Sequence, residues 1–101
     1  MSAFNVVKFR VKPGQEHLFL DAHRDGKASW PGLQRGVMIK TGDQTYCLIG
    51  EWGSSGAIAQ ARDNMIDTLD GFRAALEDLG PGLGATDAVS GPVVLDLTHS
   101  G

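Results

Sequence analysis

The chain contains a single cysteine, Cys47, in 101 residues. No disulfide can therefore form within it, and one thiol with no second soft ligand beside it does not read as a zinc site. Nothing in the sequence implies a bound metal. No apolar run is long enough to span a bilayer. The first residues, MSAFNVVKFRV, enter strand-like alternation directly, with no basic segment followed by an uninterrupted apolar stretch. A cytoplasmic location is the expectation. Positive charge is not in excess either: nine Lys and Arg stand against twelve Asp and Glu, for a formal net charge of −3, and the basic residues are scattered. That distribution offers no footprint for a phosphate backbone and sets nucleic acid aside.

Hydrophobic residues make up 42% and charged residues 21% of the chain, which supports a packed core and argues against disorder. The length suffices for one such core, so residues 1–101 are read as a single domain. In FNVVKFRV, residues 4–11, Asn5, Val7, Phe9 and Val11 share one strand face, and Phe4, Val6, Lys8 and Arg10 share the other. A helix is expected over about 13–25, with Pro13 at its first position and Gly26 as its stop. Its apolar side holds Phe19 and Ala22.

SWPGL then reads as a loop, QRGVMIK as a second strand, TGDQ as a hairpin turn and TYCLIGEW as a third strand. Tyr46, Leu48, Gly50 and Trp52 alternate along that third strand with Cys47, Ile49 and Glu51. Ser54 or Ser55 can cap a long helix, because Ile58, Ala61, Met65, Leu69, Phe72, Leu76 and Leu79 recur at steps of three and four. The pattern predicts one helical region over about 55–79, with a kink available at Gly71 or Asp67–Thr68. GPGLGATDAVSGP, residues 80–92, reads as a glycine-rich loop. VVLDLTH reads as a last strand with Val93, Leu95 and Leu97 on one face. The order βαββαβ suits an α+β ferredoxin-like sandwich, a four-stranded antiparallel sheet with both helices on one face. The bare face calls for a second copy, and a two-fold homodimer is the commonest way to cover it.

The first strand followed by VKPGQEHLFLDAH, then PGL before the second strand, then YCLIGEWGSSGAIAQA entering the long helix, resembles a known family over nearly the whole chain. That family is the antibiotic-biosynthesis-monooxygenase-like domain of the dimeric α/β-barrel superfamily. The resemblance implies a homodimer whose sheets form a barrel, and a pocket in each subunit between helices and sheet. It implies a function drawn from cofactor-independent oxygenases of phenolic polyketides, haem-degrading enzymes, a quorum-signal enzyme and members of no known activity. Many relatives carry a histidine early in the second helix, where Ala61 and Arg62 stand here. Asn5 and Trp52 are present, but no histidine occurs in the long helix, so haem degradation is not carried over.

One residue breaks the apolar stripe. At about 100° per residue, Ile58, Met65, Leu69 and Leu76 lie within about 20° of one line, and Arg62 stands only about 40° away. A buried guanidinium without a partner is costly. Either Arg62 lays its methylenes on the core and reaches solvent, or it pairs with an acid such as Glu51, or it holds an anionic ligand between helices and sheet. His23, one turn after Phe19, is either a packed imidazole or a base near neutral pH. His23 and Arg62 are thus the catalytic candidates. Asn5, Tyr46, Trp52 and Met65 are the ligand-binding candidates, each with core packing as its alternative role.

GPGLG lacks the strand-before, helix-after context of a dinucleotide fingerprint, Cys47 reads as an inert buried thiol, and Ser90 with Asp87 reads as a turn. His17 and His99 are expected at the surface, and Arg73–Glu77 as a helix-surface ion pair. No cofactor is called for. The expectation is a homodimer that binds a small planar, partly anionic organic molecule and oxidises it without a cofactor. Two alternatives stand beside it: a non-catalytic ligand-binding or structural dimer, and an isomerase or decarboxylase using the same acid–base groups.

Overall fold

The first strand, β1 (Ala3–Arg10), organises the molecule because both of its edges are paired and one of its faces is dry. It lies between β3 (Thr45–Trp52) and β4 (Asp87–Pro92), and β3 pairs on its other edge with β2 (Leu33–Gly42). The strand order is β2-β3-β1-β4, with every neighbour antiparallel. Helices α1 (Glu16–Gly26), α2 (Ser55–Gln60) and α3 (Arg62–Phe72) pack on one face, completing the βαββαβ ferredoxin-like architecture that the sequence pattern predicts. This computed structural model describes residues 2–26, 30–80 and 84–98. His99 and the centre of GPGLG lie outside the described residues. No helix among the described residues is long and apolar enough to cross a membrane.

The alternation in β1 sorts its side chains as expected. Asn5, Phe9 and Val11 are buried beneath the helices, while Phe4, Lys8 and Arg10 are exposed on the far side. Phe9, Phe19 and Phe72 meet edge to face at the centre of the core, with centroid distances of 5.0 to 5.8 Å, an arrangement that ring quadrupoles favour. Trp52 is fully buried beside them.

Three elements depart from expectation. α1 begins at Glu16 instead of 13, because Gly14 adopts φ +81°, and Gln15 N–H donates to the Lys12 carbonyl at 3.1 Å to close a turn over Pro13. The region 55–79 is not one helix. Its break falls at Ala61 (φ −86°, ψ −2°), which is fully buried and still links the two pieces through bonds to Ala57 and from Met65. After Phe72 a short 3₁₀ turn, Arg73–Ala75, ends in extended backbone at Leu76. There Leu76 bridges Val11, and Lys12 N–H and Glu77 N–H bond to Ala75 O and Arg10 O at 2.7 Å each. Pairing with the end of β1 outcompetes a further helical turn, so Leu76 enters the core from a strand-like segment. Arg73 pairs with Asp70 at 3.0 Å and not with Glu77.

The last strand is Asp87–Pro92, a stretch read as loop from its glycine and polar content. Its register against β1 runs from Lys8↔Asp87 to Ala3↔Pro92, so β1 has almost no backbone left to pair with the more apolar residues that follow. A single bond, Val93 N–H to Ser2 O at 2.8 Å, extends the ladder. Val94, Leu95 and Leu97 lie exposed beyond it. Ser90 and Asp87 are therefore strand residues, not a turn.

The helix-free face carries an apolar row that crosses the whole sheet, Val89–Val6–Ile49–Val37, set by the register of adjacent strands. Val89 is 65% exposed. Phe4 and Ile39 add to this face from the rows on either side.

Candidate functional site

A cavity of about 230 Å³ lies between α3 and the sheet. Helix α3 supplies Arg62, Met65 and Thr68 at successive turns, β1 supplies Asn5, β4 supplies Ser90, and His23 and Trp30 also line the wall. Phe9, Leu69 and Phe72 are among the apolar side chains that make up most of the remainder. The site joins a largely dry space to a few separated polar groups, the usual make-up of a small-molecule pocket.

Asn5 is 5% exposed, and its carboxamide is held in one orientation. Trp52 Nε1–H donates to Asn5 Oδ1 at 2.8 Å, which leaves the Asn5 Nδ2 amide directed to the thioether of Met65 at 3.9 Å. Sulfur is a weak acceptor. A cavity-lining donor is thus fixed with no oxygen partner among the described residues. Gly50 makes the arrangement possible, since a Cβ there would lie 2.5 Å from Asn5 Oδ1 and 2.9 Å from Trp52 Nε1.

His23 is half-buried, with its ring 4.6 Å from Phe72 and 4.8 Å from Phe19. Its Nδ1 lies 2.9 Å from the Phe19 carbonyl oxygen. Because a carbonyl only accepts, Nδ1 carries the proton in this contact and Nε2 is the basic nitrogen. Burial pushes the imidazole pKa below its ordinary value, and the bond to Phe19 opposes that shift without cancelling it. The ring is therefore held in its neutral, proton-accepting form. Trp30 stacks on Trp52 at 6.4 Å, and its Nε1–H donates to Thr68 Oγ1 at 3.2 Å, which in turn donates to the Asn64 carbonyl at 3.0 Å.

Arg62 lines the cavity as an exposed residue, so it is not the buried charge that its place on the stripe implies. The break at Ala61 puts it in the first turn of α3. No described carboxylate lies within ion-pair distance of it. Glu51 is on the opposite sheet face, in register with Phe4. Arg62, His23, Asn5 and Met65 thus come together around one cavity.

Tyr46 and Trp52 do not join them. Tyr46 donates its hydroxyl to Glu16 Oε2; that bond, with burial, pushes the phenol up to about 12, and the same bond holds the Glu16 carboxyl below its usual range against the opposing effect of burial. Trp52 lies behind Asn5 as the group that orients it. Sequence reasoning missed Trp30, Thr68 and Ser90. Trp30 was hidden in the SWPGL loop, although an aromatic there is a signal for a wall residue; Thr68 and Ser90 offered none. Cys47 is buried and His17 exposed, as expected.

This architecture is the fold of the antibiotic biosynthesis monooxygenase-like proteins. The chain superimposes on SnoaB, a cofactor-independent oxygenase from Streptomyces nogalater, with a TM-score of 0.74 and 17% identity over 97% of this chain and 98% of that one. A candidate antibiotic biosynthesis monooxygenase from Caulobacter crescentus matches with a TM-score of 0.73 and 18% identity over 93% and 91% of the two chains. The NE2512 protein of unknown function from Nitrosomonas europaea matches with a TM-score of 0.70 and 19% identity over 99% and 96%. No protein-family model and no curated protein matches the sequence.

Proposed function

We propose that this protein is a homodimeric, cofactor-independent oxygenase of a small planar, partly anionic aromatic molecule bound between α3 and the sheet. The observation that carries this reading is the fixed, nearly unpartnered Asn5 amide in a largely apolar wall. A donor so placed stabilises an oxyanion more strongly than water does, because it needs no reorganisation when charge develops. Arg62 receives a carboxylate or phenolate at the exposed side, and Trp30 and Phe72 hold the ring.

In this mechanism His23 Nε2 takes a proton from an acidic C–H or O–H of the substrate. Asn5 and Arg62 hold the resulting enolate or phenolate charge. The carbanion carbon bonds to dioxygen, the proton returns to the distal oxygen, and the hydroperoxide loses water to leave a carbonyl. A methylene and dioxygen thereby become a carbonyl and water, with no further oxidant. The second copy covers the apolar row of the open sheet face.

The satisfied hydrogen bonds of Asn5 Oδ1 and His23 Nδ1 favour one rival, a non-catalytic ligand-binding homodimer. Oxygen-electrode measurements with a panel of hydroxyquinols and anthrones separate the two. Turnover that is lost in His23→Gln supports the oxygenase. Binding of the same compounds without any oxygen uptake rejects it in favour of the rival.

A further inference from the structure

His23 and Trp30 do not end at the ligand cavity. A second cleft, about 320 Å³, opens between α1 and β2 and shares His23, Trp30 and Leu48 with the first. Leu20, Leu33 and Met38 line the rest of it, and the rim charge, Arg24, is already paired with Asp21. Gly36 helps to keep it open: a Cβ there would touch only Leu33, at 3.4 and 3.9 Å, so the space beside this strand position is otherwise unfilled. The cleft thus offers largely apolar surface and no unpaired charge, and it reaches the same imidazole and indole that line the first cavity.

We propose that the α1–β2 cleft is the entry and holding site for a small uncharged apolar molecule, and that this molecule is dioxygen. The identity of the guest rests on the oxygenase reading. An anion has no counter-charge there, and a polar molecule would find few hydrogen-bond partners beyond His23 to replace those it leaves in water, whereas dioxygen loses nothing. With a planar ligand filling the first cavity, a second approach to the same wall lets the gas arrive without displacing it.

The methionines make the two spaces separately observable, because Met38 lines the second cleft and Met65 the first. In protein labelled with methyl-¹³C methionine, dissolved oxygen under pressure relaxes nearby methyl groups through its unpaired electrons. The expected result is a relaxation enhancement at Met38 several-fold above that of free methionine in the same tube, persisting when a hydroxynaphthoate occupies the first cavity and shifts Met65. Gly36→Val should return Met38 towards the free value while leaving the Met65 response to hydroxynaphthoate intact. Leu20→Phe, which narrows the cleft from α1, should do the same should the strand variant fail to fold. Enhancement at Met38 no greater than for free methionine, or unchanged in both variants, would overturn the proposal. These outcomes are independent of oxygen uptake: an inert protein with an oxygen-accessible Met38 refutes the oxygenase and keeps the gas site, while an active one with an inaccessible Met38 does the reverse.

Discussion

The side chain with the greatest leverage on this site is Asn5, whose role is set by two neighbours that never touch the ligand cavity. Trp52 fixes its oxygen and Gly50 leaves room for the pair. Gly50→Ala should push the carboxamide off Trp52, strand a buried indole N–H, and cost about 1–3 kcal/mol of stability by urea unfolding. Loss of the hydrogen-bonded shift of the Trp52 indole proton would accompany it. For His23 the unfolded imidazole titrates at the ordinary value of 6.5 and the folded one lower. Between those values the unfolded chain takes up more protons, so the neutral-histidine contribution is complete above the ordinary value and is lost as pH falls through the folded one. Stability should fall as pH drops below that ordinary value, and His23→Gln should flatten the slope, as measured by urea midpoints across the acidic range. Arg62, exposed and without an acidic partner among the described residues, should tolerate Arg62→Met within about 0.5 kcal/mol of stability. Its loss should appear in ligand affinity instead.

At the scale of elements, the sequence was most legible where a residue alternates cleanly, as in β1 and β3, whose inward sets match the observed faces. It was least legible where backbone pairing decided the outcome. The apolar stripe continues through Leu76 and Leu79 as if the helix did, yet the free backbone groups at the end of β1 capture Leu76 and Glu77. β4 was misplaced for the same reason. Its position follows from the register of β1, and the apolar content of VVLDL says nothing about which segment that strand can reach. The site was partly legible because Asn5, His23, Arg62 and Met65 sit on periodic elements. Trp30 and Ser90 were hidden because a loop and a displaced strand deliver them. Ala61, where the two helices meet, has no room for a larger side chain: Ala61→Leu should overfill this fully buried position and cost about 1–3 kcal/mol by denaturant unfolding.

For the whole molecule, one face of the sheet is covered by helices and the other carries Val89, Val6, Ile49 and Val37 in a single row. A homodimer built through that face should be disrupted by a charge placed beside the row. Ile39→Asp, at a residue 42% exposed, should give a folded monomer by light scattering with the far-ultraviolet circular dichroism of the parent. The proposed ligand, a planar anion, would be held at two points of the cavity, the Asn5 amide on its wall and the Arg62 guanidinium on its exposed side. Calorimetric titration with a hydroxynaphthoate tests this most directly. Saturable one-to-one binding per chain is expected, weakened at least about tenfold, or about 1.4 kcal/mol, in Arg62→Met and in Asn5→Ala. Absence of binding to the parent protein, or equal affinity in all three, would contradict it.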